Sequence, residues 1–543
     1  MNNSYSIRTF FIFLVFVLLY FIIILNLFLI QIINSSYYEQ LATKQHNIET
    51  TMIGVRAPIF DRNGKLIATN KDSLSAFILP HKLEQEKELT SFLKKHFPKA
   101  YARLKSKKNK YFMYIKRKLT PEQLKIISDK NLSDIKILQE PSRYYPYESM
   151  GVITGVTDID NNGLLGLELQ FNKQLSGQPE KVTLQKDARS GYFYFTKKTL
   201  IEGKQGQPIK LTIDADLQFL VYEELQEAAN KLDAKQAAAI IMDPENGQII
   251  SMTSWPTFNP NDISNLNIQN TKNNVITDVY EFGSVIKVFL MMAALEEKII
   301  GINDTIDCEN KKTITMDGMQ FSTWKDHGIL TVSEVVEKSN NIGVAKIAKK
   351  VGPKLYDHYT RVGFTKRTGI PLPGEQKGFI TPPNQWSKWS VIALSFGYEI
   401  SATLLQLAKA FCVIANGGYD IKPTLILDDK VNVKGPRLYS QETIDNIKEI
   451  LKNTVTKGTA HHANIKGYSV MGKTGTANLL VDGKYCKEKN IFTFFGIVQK
   501  GDYKRVIAIF IKESNQQGVY ASTIAVPVFE QIAEKMLIHD RII

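Results

Sequence analysis

Cysteine is scarce in this 543-residue chain: only Cys308, Cys412 and Cys486 occur, far apart in sequence. They make neither a disulfide framework nor a zinc site, and the odd count leaves at least one thiol free. Internal repeats and low-complexity tracts are missing as well, so no repeat architecture is expected. Acidic residues are absent from Leu89 to Pro121, where Lys94, Lys95, Lys99, Arg103, Lys105, Lys107, Lys108, Lys110, Lys116, Arg117 and Lys118 crowd together. That run reads as a solvated basic face, or as one drawn to anionic headgroups or an acidic partner. Over the whole chain, Lys+Arg 68 against Asp+Glu 54 gives +14. Such a balance suits nucleic acid, an anionic membrane surface or an acidic polymer. Hydrophobic content of 43% and charged content of 22% are those of a folded protein, and the length predicts about three units.

Polar residues are also nearly missing from Phe10 to Ile33, where only Asn26 and Gln31 interrupt. That stretch is long enough to cross a hydrocarbon core of roughly 30 Å. No Ala-x-Ala follows it; Asn34-Ser35-Ser36-Tyr37-Tyr38 does, with an aromatic pair at the interface. An uncleaved anchor is expected. Arg8 and the amino terminus keep residues 1–9 cytoplasmic and put everything after Asn34 outside. Nucleic acid is then no partner.

Ile59-Phe60-Asp61-Arg62-Asn63-Gly64-Lys65-Leu66-Ile67 predicts two strands around a two-residue Asn63-Gly64 turn. Glycines at 151, 155, 163 and 166 mark turns in an α+β region, and Gly203 to Pro208 reads as a linker. Beyond it, Ile209 to Asp214 predicts a strand and Ala215 to Leu232 a helix capped by Asp214. Ala237 to Met242 and Gln248 to Thr253 predict strands joined through the turn Asp243-Pro244-Glu245-Asn246-Gly247. One large α/β domain is expected from about Gly206 onward.

Within it, Tyr280-Glu281-Phe282-Gly283-Ser284-Val285-Ile286-Lys287 leads into the apolar run Val288 to Leu295, the opening of a buried helix. Ser284 and Lys287, at i and i+3, share one face. A serine hydroxyl needs a base, and a buried lysine whose pKa has fallen is one. Alone the pattern decides nothing, because a helix-capping serine and a snorkelling lysine look the same. It recurs at Ser91/Lys94, Ser133/Lys136 and Ser322/Lys325. Two further pieces lie downstream. Lys338-Ser339-Asn340-Asn341-Ile342-Gly343 precedes the helical run Val344 to Val351. Ser339 offers a hydroxyl that relays a proton and Asn341 an amide that holds a substrate carbonyl, with a helix cap as the plainer reading. Ser469-Val470-Met471-Gly472-Lys473-Thr474-Gly475-Thr476-Ala477 reads as a short strand. There Lys473 supplies a fixed positive charge for a carboxylate and Gly475 lets a ligand approach the backbone; the plainer reading is an edge strand with a bulge. His461-His462, the one histidine pair, reads as a solvated loop.

Three such pieces in this order form the Ser-x-x-Lys, Ser-x-Asn, Lys-Thr-Gly set of penicillin-binding proteins and serine β-lactamases. The chain resembles a class B penicillin-binding protein over nearly its whole length. Arg56-Ala57-Pro58-Ile59-Phe60-Asp61-Arg62-Asn63-Gly64, Ser142-Arg143-Tyr144-Tyr145-Pro146 and Gly163 to Glu168 are similar to motifs of that family's non-catalytic pedestal. Thr277-Asp278-Val279-Tyr280-Glu281 and Ser395-Phe396-Gly397-Tyr398-Glu399 resemble its septal, division-specific branch. The chain departs from the pattern at Ala57-Pro58, at Phe282 and at Val288. The last two flank Ser284 and Lys287 and are expected to bear on substrate preference and β-lactam affinity.

The resemblance implies a cytoplasmic tail (1–9), a transmembrane anchor (10–33), an elongated α+β pedestal (34–205) and an α/β (α+β) transpeptidase domain (206–543) of the penicillin-binding and serine β-lactamase type. It implies a D,D-transpeptidase acting on stem peptides of a lipid-linked precursor, inhibited by β-lactams, with no metal or organic cofactor. Ser284 would attack and Lys287 take its proton, while backbone N–H groups of Ser284 and Thr476 form the oxyanion hole. Ser339, near Lys473, would pass a proton to the leaving group. Asn341 would hold the stem peptide, and Lys473, Thr474, Gly475 and Thr476 would line the carboxylate site. Expected partners are a polytopic division glycosyltransferase and other division membrane proteins. The rivals are an elongation enzyme of the same class, a carboxypeptidase or β-lactamase, and a non-catalytic sensor or division scaffold.

Overall fold

The computed structural model describes residues 3–52, 54–106, 112–186, 193–201, 203–428, 434–516 and 518–542. Lys107, Lys108 and Lys110 of the basic run lie outside the described residues. Contacts divide the chain into two compact units. One comprises Met1–Val55, Lys71–Ser142 and Gly177–Gly206, the other Arg56–Asn70, Arg143–Ser176 and Gln207–Ile543. Compactness therefore does not follow a single cut near residue 205. The three stretches that resemble pedestal motifs fall, but for Ser142, within residues 56–70 and 143–176 of the large unit.

In the first unit, Ile7–Ile33 is the one helical stretch among the described residues long and apolar enough to span a membrane. It is exposed throughout. The strands Asn47–Met52, Glu180–Lys186 and Phe193–Ile201 form an antiparallel sheet. The helices Glu86–His96, Pro98–Ser106 and Pro121–Lys130 surround a small core of Ala76, Leu89, Phe92, Leu93 and Ile127 among others. Thr120 and Gln123 close a capping box at the start of the third helix. Lys94 and Lys95 end the first helix, where cations suit its dipole.

The second unit is built on a five-stranded antiparallel sheet. We label its elements α1 (Ala215–Lys231), β1 (Gln236–Met242), β2 (Ile249–Trp255), α2 (Lys287–Glu296), α3 (Asn341–Val351), α4 (Lys354–Arg361), α5 (Leu404–Ala415), α6 (Gln441–Thr456), β3 (Ser469–Val481), β4 (Lys484–Lys500), β5 (Tyr503–Lys512) and α7 (Ala521–His539). The strand order is β2-β1-β5-β4-β3, so β3 is an edge. Successive residues of β1 point to opposite faces: Ala238, Ile240 and Met242 join the core holding α2, and Ala237, Ala239 and Ile241 join the core holding α1 and α7. Val506 to Ile511 of β5 divide in the same way. Both faces are covered, which is why these strands read as continuous apolar runs. Asp214 caps α1 as expected, accepting from Asp216 and Leu217 N–H.

The expected Asn63-Gly64 hairpin takes another form. Only Gly64 has a positive φ, +86°. The loop is longer: Asp61 N–H donates to Lys65 O, while Asp61 Oδ1 accepts from the N–H groups of Asn63 and Lys65. Asp61 does by side-chain bonding what Asn63 was expected to do by conformation. The three stretches resembling pedestal motifs also meet in one buried cluster. Arg56 Nε and Arg143 Nε each donate to the Glu168 carboxylate, and Arg56 also donates to Glu168 O and Asn161 O.

Candidate active site

A one-turn 3₁₀ segment, Gly283–Ile286, precedes α2, so the helix proper opens at Lys287 rather than at Ser284. In a 3₁₀ turn i and i+3 eclipse, which still stacks Ser284 and Lys287 on one side. Val288–Leu295 are buried all round. Gly283 takes φ +56°, and a Cβ there would sit 2.7 Å from Thr476 O. Gly397 presses on the same turn from elsewhere: its Cβ would lie 2.2 Å from Gly283 O. Ser284 is therefore held at the junction of three segments.

Lys287 is fully buried. Its Nζ donates to Ser339 O (2.9 Å), Ser339 Oγ (3.1 Å) and Asn341 Oδ1 (2.6 Å), one acceptor for each ammonium proton. Lys473, also fully buried, donates to the same Ser339 Oγ (3.3 Å) and to Thr474 O (3.2 Å). One hydroxyl thus lies between two amines. Burial, and then the nearby Lys473 charge, hold the Lys287 pKa well below the usual lysine value; burial brings Lys473 down to about 7. Among the described residues neither lysine has a carboxylate partner. With no carboxylate beside it among the described residues, burial makes the Lys473 ammonium easier to deprotonate than that of an exposed lysine.

Ser339 has φ +52°, a conformation held by Ser339 N–H bonding Val336 O and by Asn340, whose Oδ1 caps α3 at Gly343 N–H. The cap of α3 is Asn340, not Ser339. Asn341 is pinned at both ends, its Oδ1 on Lys287 and its Nδ2 donating to Ser322 O (2.7 Å). Its amide in this state orients the lysine.

The strand carrying Lys473 is 13 residues long, not short. Gly475 has a packing role. A Cβ there would meet Phe282 O, Thr493 Oγ1 and Val285 Cγ2, each at 2.6 Å, so the bare Cα admits the turn that carries Ser284. Thr474 Oγ1 lies 3.2 Å from Thr459 Oγ1. Thr476 Oγ1 accepts from Ala521 N–H (3.0 Å), capping α7, whose own N-cap residue Tyr520 offers no side-chain bond. Phe282 points away from the cleft into the core, edge-on to Phe495 and Phe510, and Val288 is buried too. Both side chains pack in the core beside the turn that carries Ser284. Of the other Ser-x-x-Lys pairs, Ser91 sits on Glu86–His96 and Ser133 ahead of the strand Lys136–Tyr144, both in the first unit, while Ser322 ends Met319–Ser322 and meets Asn341 through its backbone carbonyl. His461-His462 forms an exposed 3₁₀ turn.

Sequence reasoning missed Thr459, Asn340 and Ala521, which meet site residues from loops and helix ends, and weighed Ser322 only as a rival serine, whereas its carbonyl accepts from Asn341. Gly397 was visible inside Ser395-Phe396-Gly397-Tyr398-Glu399, but its packing on Gly283 was not.

The structure thus gathers Ser284 on a glycine-tightened turn, a buried amine one turn on, and a second hydroxyl bridging to another amine on an edge strand. Comparison with known proteins identifies the family. Residues 237–534 match the penicillin binding protein transpeptidase domain, and residues 52–211 the penicillin-binding protein dimerisation domain. The chain belongs to the class B penicillin-binding proteins. It is 32% identical over 462 residues to the peptidoglycan D,D-transpeptidase FtsI of Buchnera aphidicola, covering 83% of this chain and 79% of that one. It is 30% identical over 509 residues to the stage V sporulation protein D of Bacillus subtilis, covering 89% and 78%. The crystal structure of Mycobacterium tuberculosis penicillin binding protein 3 complexed with aztreonam superposes with a TM-score of 0.69 at 24% identity, covering 91% of this chain and 97% of that one.

Proposed function

We propose that the chain is a peptidoglycan D,D-transpeptidase that cross-links stem peptides during septal wall synthesis through a Ser284 acyl-enzyme. The observation that carries this reading is the Ser339 hydroxyl shared by two buried lysines that lack a carboxylate counter-ion. Neutral Lys287 takes the Ser284 proton as the oxygen attacks the penultimate carbonyl of the donor peptide. The N–H groups of Ser284 and Thr476 stabilise the oxyanion, a contribution of about 3 kcal/mol. The C–N bond breaks, the leaving D-alanine receives a proton through Ser339, and an amine of a second stem peptide displaces Ser284. The donor's terminal carboxylate supplies the counter-ion Lys473 lacks, and Thr474, Gly475 and Thr476 line the same place.

Hydrolysis is the rival chemistry. A hydrolase needs a base for water, the role a glutamate fills in one branch of serine β-lactamases. Among the described residues no carboxylate hydrogen-bonds Ser284, Lys287, Ser339 or Lys473, which counts against that glutamate-assisted route. Residues 206–543 would carry the chemistry and 34–205 the pedestal. Ile7–Ile33 would anchor the chain with residues 1–9 in the cytoplasm, beside a polytopic division glycosyltransferase.

The test is labelling of the full chain with a fluorescent penicillin, then a cross-linking assay on lipid-linked precursor. Ser284→Ala should lose all covalent label and keep its fold, since it removes one hydroxyl. Label retained there, or mapped to Ser91, Ser133 or Ser322, refutes the assignment; release of D-alanine without cross-links identifies a carboxypeptidase. For the septal role, a fluorescent fusion should gather at midcell and depletion should block division. Lateral-wall patches with rounding cells would identify the elongation branch.

A further inference from the structure

Behind α4 and α5 lies a second cavity, of about 280 Å³, that the acyl-transfer chemistry does not use. Five cations line it: Arg361 at the end of α4, Lys366 and Arg367 on the loop that follows, Lys409 on α5, and Lys422. Asp420 is the single carboxylate, and Lys409 answers it at 2.9 Å. Four positive charges are left over. Arg361 lies over the Tyr439 ring, while the side chains of Lys366, Arg367 and Lys422 make no hydrogen bond or ion pair among the described residues. Three exposed cations around one hollow repel each other, an arrangement that gains when an anion enters.

The backbone is shaped to keep the hollow open. Gly363 adopts φ +101°, and a Cβ there would come within 3.3 Å of Lys409 Nζ. A side chain at 363 would be strained and would crowd the ammonium. The Thr360 hydroxyl, in the same wall, has no partner among the described residues. Glu375, whose charge would otherwise oppose an anion, is occupied by the N–H groups of Thr368 and Gly369 and by Thr368 Oγ1.

We infer that this cavity is an anion site for a diphosphate or a closely spaced pair of phosphates. Its volume falls at the lower end of small-ligand sites, too small for a large organic ligand. Its mixture of guanidiniums and ammoniums suits phosphate oxygens, the guanidinium binding two at once. The diphosphate is either free in solution or borne on a lipid headgroup. The inference is independent of the acyl-transfer reading, since no lining residue belongs to the Ser284 site.

The experiment is calorimetric titration of the full chain in detergent with inorganic pyrophosphate, at low and at high salt. Saturable binding is expected, weaker at high salt, and weaker by about tenfold or more in the double variant Lys366→Glu, Arg367→Glu. Both side chains are exposed and unpartnered, so the variant should keep its circular dichroism and its penicillin labelling. Geranyl diphosphate, which carries the diphosphate on a short lipid chain, tells the sources apart: competition tighter than that of pyrophosphate assigns a lipid-borne headgroup, and weaker or no competition a free diphosphate. Absence of saturable binding, or equal affinity in the variant, overturns the inference.

Discussion

At the residue scale the two lysines differ in what surrounds them, and that difference is measurable. Lys287 is committed to Ser339 and Asn341, whereas Lys473 reaches Ser339 and a backbone carbonyl, with a pKa brought down by burial to about 7. Lys473 is cationic below that pH and neutral above it. For a matched pair of thioesters, one ending in a carboxylate and one in an amide, the ratio of acylation rates should therefore fall as pH rises through about 7. Lys473→Ala should flatten that ratio, while Lys287→Ala should depress both rates by about 10²-fold or more. Stopped-flow acylation across the pH range checks both; a ratio independent of pH would contradict the carboxylate role. Ser284, Lys287, Ser339, Asn341 and Lys473 could be proposed from sequence because chemistry of this kind needs those side chains at short, fixed spacings, and the structure brings the last four into hydrogen-bond contact. Protonation was not legible, because it is set by burial among residues distant in sequence.

At the scale of elements the site depends on a near-collision that no local pattern announces. β3 meets the turn before α2 through Gly475, and Gly397 meets the same turn through Gly283. Gly475→Ala should push the turn from the strand. Overpacking of this kind costs about 1–3 kcal/mol, and the displaced Ser284 should acylate about 10²-fold more slowly. Thermal denaturation and penicillin labelling on one preparation measure the two effects; undiminished labelling would show that the turn yields without loss. The sequence placed α1, β1, β2 and the turn Asp243–Gly247 because periodicity and capping are local. It misjudged the loop at Asp61–Lys65, where an aspartate side chain does the work assigned to Asn63-Gly64.

For the whole molecule, the unexpected feature is that sequence order and compactness diverge. Arg56, Arg143 and Glu168 lie in separate stretches, yet two guanidiniums share one buried carboxylate. Each stretch was recognisable alone as a motif, but a contact spanning 112 residues has no local signature. Glu168→Gln would leave both guanidiniums buried without a counter-charge. Removing one partner of such a cluster costs about 3–5 kcal/mol. Urea denaturation of the full chain should show an earlier transition in that variant. A midpoint equal to the wild type would mean the cluster is solvated or replaceable.

The missing counter-ion at Lys473 has a thermodynamic corollary. A carboxylate that settles beside a half-protonated amine raises the amine's proton affinity, so the complex draws protons from solution as it forms. Near neutral pH, the heat of non-covalent ligand binding to a Ser284→Ala chain then depends on the ionisation enthalpy of the buffer. In that sense the ligand arrives with a proton as its companion, and the affinity of the site falls as the medium becomes more alkaline.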